Sequence, residues 1–301
     1  MGKRVLITGG SGSVGTRLSQ LLLDNGYEVA HLSRSKTNLP NIQTYLWNVE
    51  QNQIDGKCID GVDVIVHLAG AGIADSRWTD ERKKTIIDSR TKSIQLVYQL
   101  LKSNPHQVKA VVSASASGYY SERGDNLMKE TDSPNTDFLG ECSVLWETAV
   151  DEAKNLGIRV VKFRTGVILE KSAGALPKIA APIKFGFGAP LGNGKQWTSW
   201  IYIDDVAEMY LKGIEDETMQ GAYNMSTPNP ITNKELTIAI AQKLNKPLWL
   251  PNVPAFLLKL AFGEMSAVVL GSTKMNVEKI EQTGFKFKFP TIKSALDQIY
   301  K

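Results

Sequence analysis

The feature that most constrains this chain is a glycine-rich turn near its start, between an apolar run and a helical pattern. The run Val5-Leu6-Ile7 leads into glycines that fit both Gly9-x-x-Gly12-x-x-Gly15 and Gly10-x-Gly12-x-x-Gly15. Such glycines let the main chain approach a pyrophosphate, and the start of the next helix faces the phosphate charge. The turn therefore predicts a dinucleotide-binding β-α-β unit. The residues expected around the pyrophosphate are Gly9, Ser11, Gly12, Ser13, Val14 and Gly15.

The strand that completes this unit ends in a basic turn. A helix is predicted from Val14 to Asn25, and Glu28 to Ser33 form the second strand. An acidic residue about twenty positions after the glycines would bind the adenosine ribose hydroxyls. The chain has Ser33-Arg34-Ser35-Lys36 there instead, with no carboxylate to repel a 2′-phosphate. This favours NADP over NAD, with Ser33 and Arg34 as contacts; the alternative is a solvated basic turn.

Small residues follow the next buried strand. The apolar segment 63–71 ends in Leu68-Ala69-Gly70, and small side chains at the carboxyl end of a parallel strand let a cofactor lie across it. His67 is interpreted as a core histidine. The helix that follows carries Arg90, which either reaches a phosphate or stays solvated.

Hydroxyl groups gather at the end of the fifth strand. Ala110 to Ser115 form this strand, which continues into Ser117-Gly118-Tyr119-Tyr120. A helix from about 139 to 155 and a sixth strand from 159 through 169 come next. The alternation of strands and helices predicts an α/β fold of the Rossmann type, with a doubly wound parallel sheet.

The second half of the chain is more irregular. Residues 172–196 are rich in glycine, alanine and proline and predict loops rather than elements. A short strand follows at 200–203, where Asp204 or Asp205 can cap the next helix, and the last core strand is expected at 222–225. Helices are predicted at 233–244 and 291–300.

The apolar segment 255–269, broken at Gly263-Glu264, predicts two short helices of a small, mostly helical C-terminal lobe; a membrane-associating stretch is the alternative. We expect a Rossmann domain at 1–170, to which 197–228 returns, and a substrate-binding loop and lobe at 171–301.

Composition excludes several function classes. The 301 residues carry a net charge of +4 with dispersed lysines, which argues against nucleic-acid binding. No apolar run is long enough to span a bilayer, so no membrane partner is expected. Cys58 and Cys142 fit no metal or redox spacing, and a reducing cytoplasm is the expected location.

Together these motifs resemble the extended short-chain dehydrogenase/reductase superfamily, and the likeness runs nearly end to end. Within it, the chain resembles the atypical YfcH-type branch of epimerase family proteins. The segments that carry the closer likeness are Arg77-Trp78-Thr79, Ser89-Arg90, Gly118-Tyr119-Tyr120, Trp146-Glu147, Arg164-Thr165-Gly166-Val167 and Gly284-Phe285. The resemblance implies a nicotinamide cofactor with Arg164 among its contacts, a substrate pocket shaped by the C-terminal lobe, and a homodimer as one expected assembly.

The chain departs from this superfamily at its catalytic pair. The family's chemistry uses a tyrosine and a lysine four residues apart, whose phenol exchanges a proton as hydride moves. Here one register supplies Leu139 and Ser143, and another supplies Cys142 and Trp146. The family's strand serine corresponds to Ser115. The remaining candidates for proton transfer are Tyr119, Tyr120 and, farther away, Glu147, although each also fits a structural role.

Three hypotheses remain open. The protein is an NADP-dependent oxidoreductase or epimerase with a relocated proton donor, acting on an unknown small molecule. Alternatively, it is a catalytically silent NADP(H)-binding sensor. A structural or interaction protein is the third hypothesis, and no residue supports it.

Overall fold

The computed structural model describes residues 2–36 and 39–301. The strands are β1 Arg4–Thr8, β2 Glu28–Ser33, β3 Ile42–Asn48, β4 Gln53–Ile54, β5 Val64–His67, β6 Ala110–Ala116, β7 Leu127–Met128, β8 Arg159–Thr165, β9 Val167–Leu169, β10 Trp197–Thr198, β11 Trp200–Tyr202, β12 Gly221–Met225, β13 Ile231–Thr232 and β14 Lys274–Met275. The α-helices are α1 Ser13–Asp24, α2 Asp80–Ser103, α3 Phe138–Asp151, α4 Ala175–Lys184, α5 Ile203–Glu215, α6 Asn233–Lys243, α7 Ala255–Phe262, α8 Ala267–Leu270, α9 Glu278–Glu281 and α10 Ile292–Ile299.

The main sheet has eight strands in the order β12-β8-β6-β5-β1-β2-β3-β4. All neighbours pair in parallel except β3 and β4. The strand order reverses between β1 and β5. In open α/β sheets, ligands bind outside the carboxyl ends of the strands at such a point. The predicted Rossmann-type fold is confirmed, and its switch point lies where the glycine turn follows β1.

Helices cover both faces of this sheet. On one face, α1 packs with α5, and Leu18, Leu22, Met209 and Tyr210 are buried against the apolar residues of β1 and β8. On the other face, α2 packs with α3 over β5 and β6. The central strands are apolar on both sides because helices exclude water from both.

A separate core joins α4, α6 and α10. Its buried side chains include Leu176 and Ile183 from α4, Leu236 and Ile240 from α6, and Leu296 from α10. The helix α6 begins with a capping box in which Thr232 accepts from the Glu235 amide. The proposed division into a domain at 1–170 with 197–228 and a lobe at 171–301 stays a prediction.

The sixth strand does not continue to residue 169, contrary to the sequence-based expectation. It divides at Gly166: β8 belongs to the main sheet, whereas β9 pairs with β11. A Cβ atom at Gly166 would lie 2.3 Å from the Ser199 carbonyl oxygen. Glycine therefore allows the chain to change sheets where another segment crosses it closely.

The expectation of loops throughout 172–196 is wrong for α4. Its buried residues Leu176, Ala180 and Ile183 recur at helical spacing. Pro177 lies in the first turn, where its missing N–H leaves no hydrogen bond unmade. The chain from Phe185 to Gly192 is irregular, as predicted.

Neither Asp204 nor Asp205 caps α5. Tyr202 is the N-cap residue, and both carboxylates lie in the first turn. Asp204 pairs with Arg17 of α1, with Nε and Oδ1 2.5 Å apart. Asp205 is fully buried and accepts the amides of Lys288 and Phe289 at 2.8 and 3.0 Å. These two acids connect α5 to distant segments instead of closing its own end.

Candidate functional site

The glycine turn after β1 is packed so closely that side chains would not fit. Gly9 has a φ of +71°, and a Cβ atom there would lie 2.9 Å from the carbonyl carbon of Leu68. At Gly15 the added atom would be 2.6 Å from the Gly10 Cα, and at Gly10 it would be 2.4 Å from the His31 ring. Three glycines of the two spacings, Gly9, Gly10 and Gly15, thus have a steric basis, whereas a Cβ atom at Gly12 would meet only the Gly9 carbonyl oxygen at 3.3 Å. The main chain is brought against the end of β5.

The turn leads directly into the N-terminus of α1. Gly12 is its N-cap residue and supplies no side-chain cap, and its own amide donates to the Gly9 carbonyl at 3.1 Å. The first amides of an α-helix have no partner within the helix, which suits them to an anion. The Ser13 hydroxyl hydrogen bonds the Glu170 carboxylate, a residue that the sequence did not single out. Ser11 is exposed and Val14 is half-buried.

A buried polar network holds the end of β5 against the end of β1. The Thr8 hydroxyl accepts the amides of Leu68 and Ala69, both at 3.2 Å, and lies 2.8 Å from His67 Nδ1. His67 Nε2 lies 3.2 Å from the Arg90 carbonyl. Burial lowers the pKa of His67 to about 4, so the ring is neutral at pH 7. His67 is a core histidine, as the sequence indicated, and it ties α2 to the strand end.

Arg90 lies directly beside this strand end. A Cβ atom on Gly70 would be 3.2 Å from the Arg90 side chain, and the guanidinium lies 5.0 Å from the centre of the Trp146 ring. One of its nitrogens donates to the Ile86 carbonyl at 2.8 Å. Burial lowers its pKa. Within residues 2–36 and 39–301, Arg90 forms no ion pair, so its charge is available to an anion.

The basic turn lies at the same edge of the sheet. Ser33 ends β2, which is the neighbour of β1, and its hydroxyl is 3.4 Å from the Ser35 amide. Arg34 is exposed. These positions leave both side chains accessible from the carboxyl edge.

A buried ion-pair network stands behind the end of β6. Glu147 of α3 receives two hydrogen bonds from the Arg164 guanidinium, at 2.8 and 3.1 Å, and one from the Ser115 hydroxyl at 2.8 Å. Lys162 adds a contact at 3.4 Å to Glu147. Burial acts to raise the pKa of Glu147, but the hydrogen bonds and charge of Arg164 outweigh it and hold the pKa below its ordinary value. Glu147 is therefore ionised and already paired.

The two tyrosines after β6 differ in their surroundings. Tyr120 is fully buried; its hydroxyl donates to Asn224 Oδ1 at 2.8 Å and accepts from Arg164 Nη1 at 3.0 Å. Burial raises its pKa to about 12. Tyr119 is half-buried, and its ring centre is 3.3 Å from the Arg164 guanidinium carbon. No hydrogen bond to the Tyr119 hydroxyl forms within residues 2–36 and 39–301.

The face of α3 on which the family's tyrosine and lysine pair is expected lies next to Gly118. A Cβ atom on Gly118 would be 3.2 Å from the Leu139 Cβ and 3.6 Å from the Ser143 hydroxyl. Ser143 donates to the Leu139 carbonyl of its own helix. The register with Leu139 and Ser143 thus lies beside the turn that follows β6, and these two residues supply neither acid nor cation.

Sequence reasoning missed three residues of this region: Lys162, Asn224 and Glu170. Lys162 and Arg164 alternate along the buried strand β8, so both point to one face of the sheet. Charged residues inside a buried strand are rarely unpaired, so their presence in this predicted strand indicates buried partners of opposite charge. Asn224 offered the same signal on β12, where it is fully buried. Glu170 gave none.

Comparison with known proteins assigns the chain to a family. Residues 5–226 match the family described as NAD dependent epimerase/dehydratase, and residues 253–299 match a domain of unknown function, DUF1731. An epimerase family protein of Staphylococcus aureus is 35% identical over 302 residues, covering 99% of each chain. The chain belongs to the NAD dependent epimerase/dehydratase family. The predicted family resemblance is confirmed.

Solved structures of similar proteins support the same assignment. The human epimerase family protein SDR39U1 (isoform 2), solved with NADPH, matches with a TM-score of 0.88 at 29% identity, covering 99% of each chain. The nucleoside-diphosphate sugar epimerase from Corynebacterium glutamicum matches with a TM-score of 0.81 at 30% identity, covering all of this chain and 58% of the other. The present chain thus shares the atypical branch's architecture over its whole length.

None of the helices in the described ranges, 2–36 and 39–301, combines the length and apolar character needed to cross a membrane.

Proposed function

We propose that this protein binds NADP(H) across the carboxyl edge of the main sheet. The observation that carries the proposal is the contact between the glycine turn and the end of β5. Beside it lies the Arg90 guanidinium, which forms no ion pair with any residue of 2–36 and 39–301. The pyrophosphate would lie at the N-terminus of α1, over Gly12 and Ser13. The SDR39U1 structure, solved with NADPH, supports this cofactor class.

The 2′-phosphate would be bound by Ser33 and Arg34. Both lie where β2 ends, and this turn carries no carboxylate that would repel the phosphate. An arginine fork donates to phosphate oxygens with matched geometry. The preference for NADP over NAD therefore rests on these two side chains.

We further propose a redox reaction of the oxidoreductase or epimerase class on a small molecule. When bound, NADP(H) supplies or accepts hydride, and the protein must then move a proton. Tyr120 and Glu147 are poor donors because the first is fully buried and the second is ionised and paired. Tyr119 is the remaining candidate for the proton, with Ser115 orienting the reacting oxygen. Arg164 joins Ser115, through Glu147, to both tyrosines.

This arrangement makes Arg164 a positioning residue in our proposal rather than a cofactor contact. Its guanidinium donates to Glu147, to Tyr120 and to the Glu130 carbonyl, and it is only 4% exposed. Little of the side chain remains free to reach a phosphate. The sequence-based hypothesis that Arg164 touches the cofactor is therefore replaced by an indirect role.

The experiment that tests binding is a fluorescence titration with NADPH. Arg90→Met should weaken binding by about tenfold, since a charge-assisted contact contributes about 1.5 kcal/mol or more. Lys92→Met on the same helix is the matched control, because it also removes one positive charge but lies on an exposed surface. Equal affinities of the two variants would remove Arg90 from the cofactor site.

A silent NADP(H) sensor is the second candidate, and one observation favours it. The part of α3 beside Gly118 presents Leu139 and Ser143, which supply neither an acid nor a cation, and Glu147 one turn farther along is ionised and paired. Oxidation of NADPH by carbonyl compounds, tested with Tyr119→Phe and Ser115→Ala, distinguishes the candidates. Turnover that both substitutions abolish supports catalysis. Binding without turnover of aldehydes, ketones or nucleotide sugars supports the sensor.

We retain the cytoplasm as the proposed location. Cys58 and Cys142 are both free and buried, which suits a reducing compartment. Immunogold labelling of cells would show the protein away from the cytoplasm if this is wrong.

A further inference from the structure

Three large aromatic side chains stand out from the surface in one place. Phe185 and Phe187 follow the end of α4 and are 79% and 64% exposed, and Trp249 is 66% exposed. The Trp249 indole N–H donates to the Gly186 carbonyl at 3.0 Å, so the tryptophan lies beside the two phenylalanines. Single exposed apolar residues are ordinary, but a patch of three aromatic rings marks an interaction surface.

The patch is held on folded structure rather than on a free loop. Gly188 approaches Ile183 and Leu248 so closely that a Cβ atom would lie 2.5 and 2.9 Å from their side chains. Farther along, the Val253 amide donates to the Pro190 carbonyl at 2.8 Å. The two segments that carry the rings are therefore fixed against each other.

The two chain segments that carry these rings contain charges of one sign only. No aspartate or glutamate occurs from 171 to 203 or from 236 to 263, whereas these stretches contain seven lysines: Lys171, Lys178, Lys184, Lys195, Lys243, Lys246 and Lys259. Lys184 directly precedes Phe185, and Lys246 lies three positions before Trp249. Both are exposed, and neither forms an ion pair within residues 2–36 and 39–301. Asp297 neutralises Lys243, which lies farther from the rings in sequence.

We propose that this aromatic–lysine face, defined as Lys184, Phe185, Phe187, Lys246 and Trp249, docks on the surface of an anionic lipid membrane. Aromatic rings enter the boundary between headgroups and acyl chains, and lysines attract anionic headgroups. Contact with a second copy through the same face would place lysines against lysines, which charge repulsion opposes. The protein would lie on the membrane without crossing it. This inference differs from the sequence-based expectation of no membrane partner, and it is independent of the proposed cofactor chemistry.

The test is co-sedimentation of the full chain with lipid vesicles. Vesicles of phosphatidylcholine mixed with phosphatidylglycerol should bind the protein at least about tenfold more tightly than phosphatidylcholine alone, and added salt should weaken the binding. Phe185→Ser with Phe187→Ser should reduce binding by about tenfold or more. The matched control is Leu127→Ser with Leu145→Ser, which removes two exposed apolar side chains elsewhere and should bind like the wild type.

A second variant tests the same face in case the two phenylalanine substitutions alter folding. Lys184→Gln with Lys246→Gln leaves every apolar contact in place and should reduce binding to anionic vesicles by about tenfold. Absence of binding to anionic vesicles, or equal binding by all variants, overturns the proposal. Sedimentation velocity gives a third arm: a dimer that Phe185→Ser with Phe187→Ser disrupts would assign the face to a second copy and overturn membrane docking.

Discussion

At the scale of single residues, the site depends on which charges are paired and which are left free. Glu147, Arg164 and Lys162 are all buried behind β6, where Glu147 pairs with both cations and Asp151 gives Lys162 a second carboxylate at 2.8 Å. Arg90 and Arg34 are different, since neither forms an ion pair in the described ranges 2–36 and 39–301. Burying an ion pair costs free energy because both charges lose their hydration, but the pair fixes the positions of its side chains. A cation in a cleft that has no such partner attracts anions instead. This contrast separates the residues proposed to hold the site from those proposed to bind NADP(H).

The exposed Arg34 side chain is expected to set cofactor preference. Arg34→Ala should weaken NADPH binding by about tenfold or more and leave NADH binding within about twofold, because only NADPH carries the 2′-phosphate. Parallel fluorescence titrations with both cofactors measure this. Lys36→Ala, in the same turn, is the control for a general loss of positive charge. Equal losses for NADPH and NADH would rule out recognition of the 2′-phosphate by Arg34.

Glu147 should matter to stability at neutral pH and less in acid. Glu147→Gln leaves the buried Arg164 guanidinium without its charge partner, which should lower the free energy of unfolding by about 3 kcal/mol. Lys162 keeps a second carboxylate, Asp151, at 2.8 Å. The pKa of Glu147 in the folded protein lies below its ordinary value of 4.5. Its contribution is therefore present above pH 4.5 and is lost as the pH falls through the folded pKa.

Urea unfolding of wild type and variant across this pH range measures the difference. The double variant Glu147→Gln with Arg164→Met supplies the control, since removing both partners should cost less than the sum of the two single changes. A stability difference that does not change from neutral pH to below 4.5, or fully additive single changes, would contradict the assignment.

At the scale of elements, the candidate cofactor site depends on where the strands end and on which neighbouring strands they pair with. The glycine turn and the end of β5 meet because β1 and β5 are neighbours in the sheet. At the other side, the division at Gly166 takes β9 away from the main sheet to pair with β11. The chain after β8 can thus reach the glycine turn, as the contact between Glu170 and Ser13 shows.

Gly166→Ala is expected to disturb this crossing. The added methyl group would lie 2.3 Å from the Ser199 carbonyl oxygen, which is a backbone atom that cannot turn aside. We expect a loss of about 2 kcal/mol in the free energy of unfolding, as for other forced overpacking. Gly56→Ala is the matched control, because its nearest neighbour in the structure would be 3.8 Å away. Thermal unfolding that is equal for both variants would show that β8 and β9 tolerate the displacement.

At the scale of the whole molecule, buried and partly buried polar contacts connect the C-terminal segment to the main sheet. Asp205 at the start of α5 accepts the amides of Lys288 and Phe289, and Thr227 donates to the Pro290 carbonyl. Asn224 on β12 similarly donates to the carbonyls of Met128 and Asn276. These contacts join segments that are dozens of residues apart, so the two parts should unfold together.

Asp205→Ala should loosen the chain near residue 288. It leaves two partly buried amides without their acceptor, which should cost about 2 kcal/mol. Amide hydrogen exchange should rise at 286–289 more than in β1 or β6. Asp204→Ala is the control, because Asp204 makes a partly exposed pair with Arg17 whose loss should cost less than about 1 kcal/mol. Unchanged exchange at 286–289 in Asp205→Ala would contradict this role.

The sequence by itself determined the architecture and the family. The β1–turn–α1 unit, β2 and the capped helix α6 follow from patterns within a few residues, such as glycine spacing, apolar runs and capping side chains. The absence of a tyrosine and lysine pair on α3 was also visible in the sequence. Local sterics and periodicity decide such features, whatever lies elsewhere in the fold.

Only the tertiary structure decided how the candidate residues are used. Ser115 and Glu147 are 32 positions apart, and Tyr120 and Asn224 are 104 apart, yet each pair forms a hydrogen bond. Whether a carboxylate acts, pairs or caps depends on the partners that folding brings to it, as Glu147 and Asp205 show. Burial and partners are properties of the whole chain, so a local pattern identifies a residue's type and place but leaves its partners undetermined.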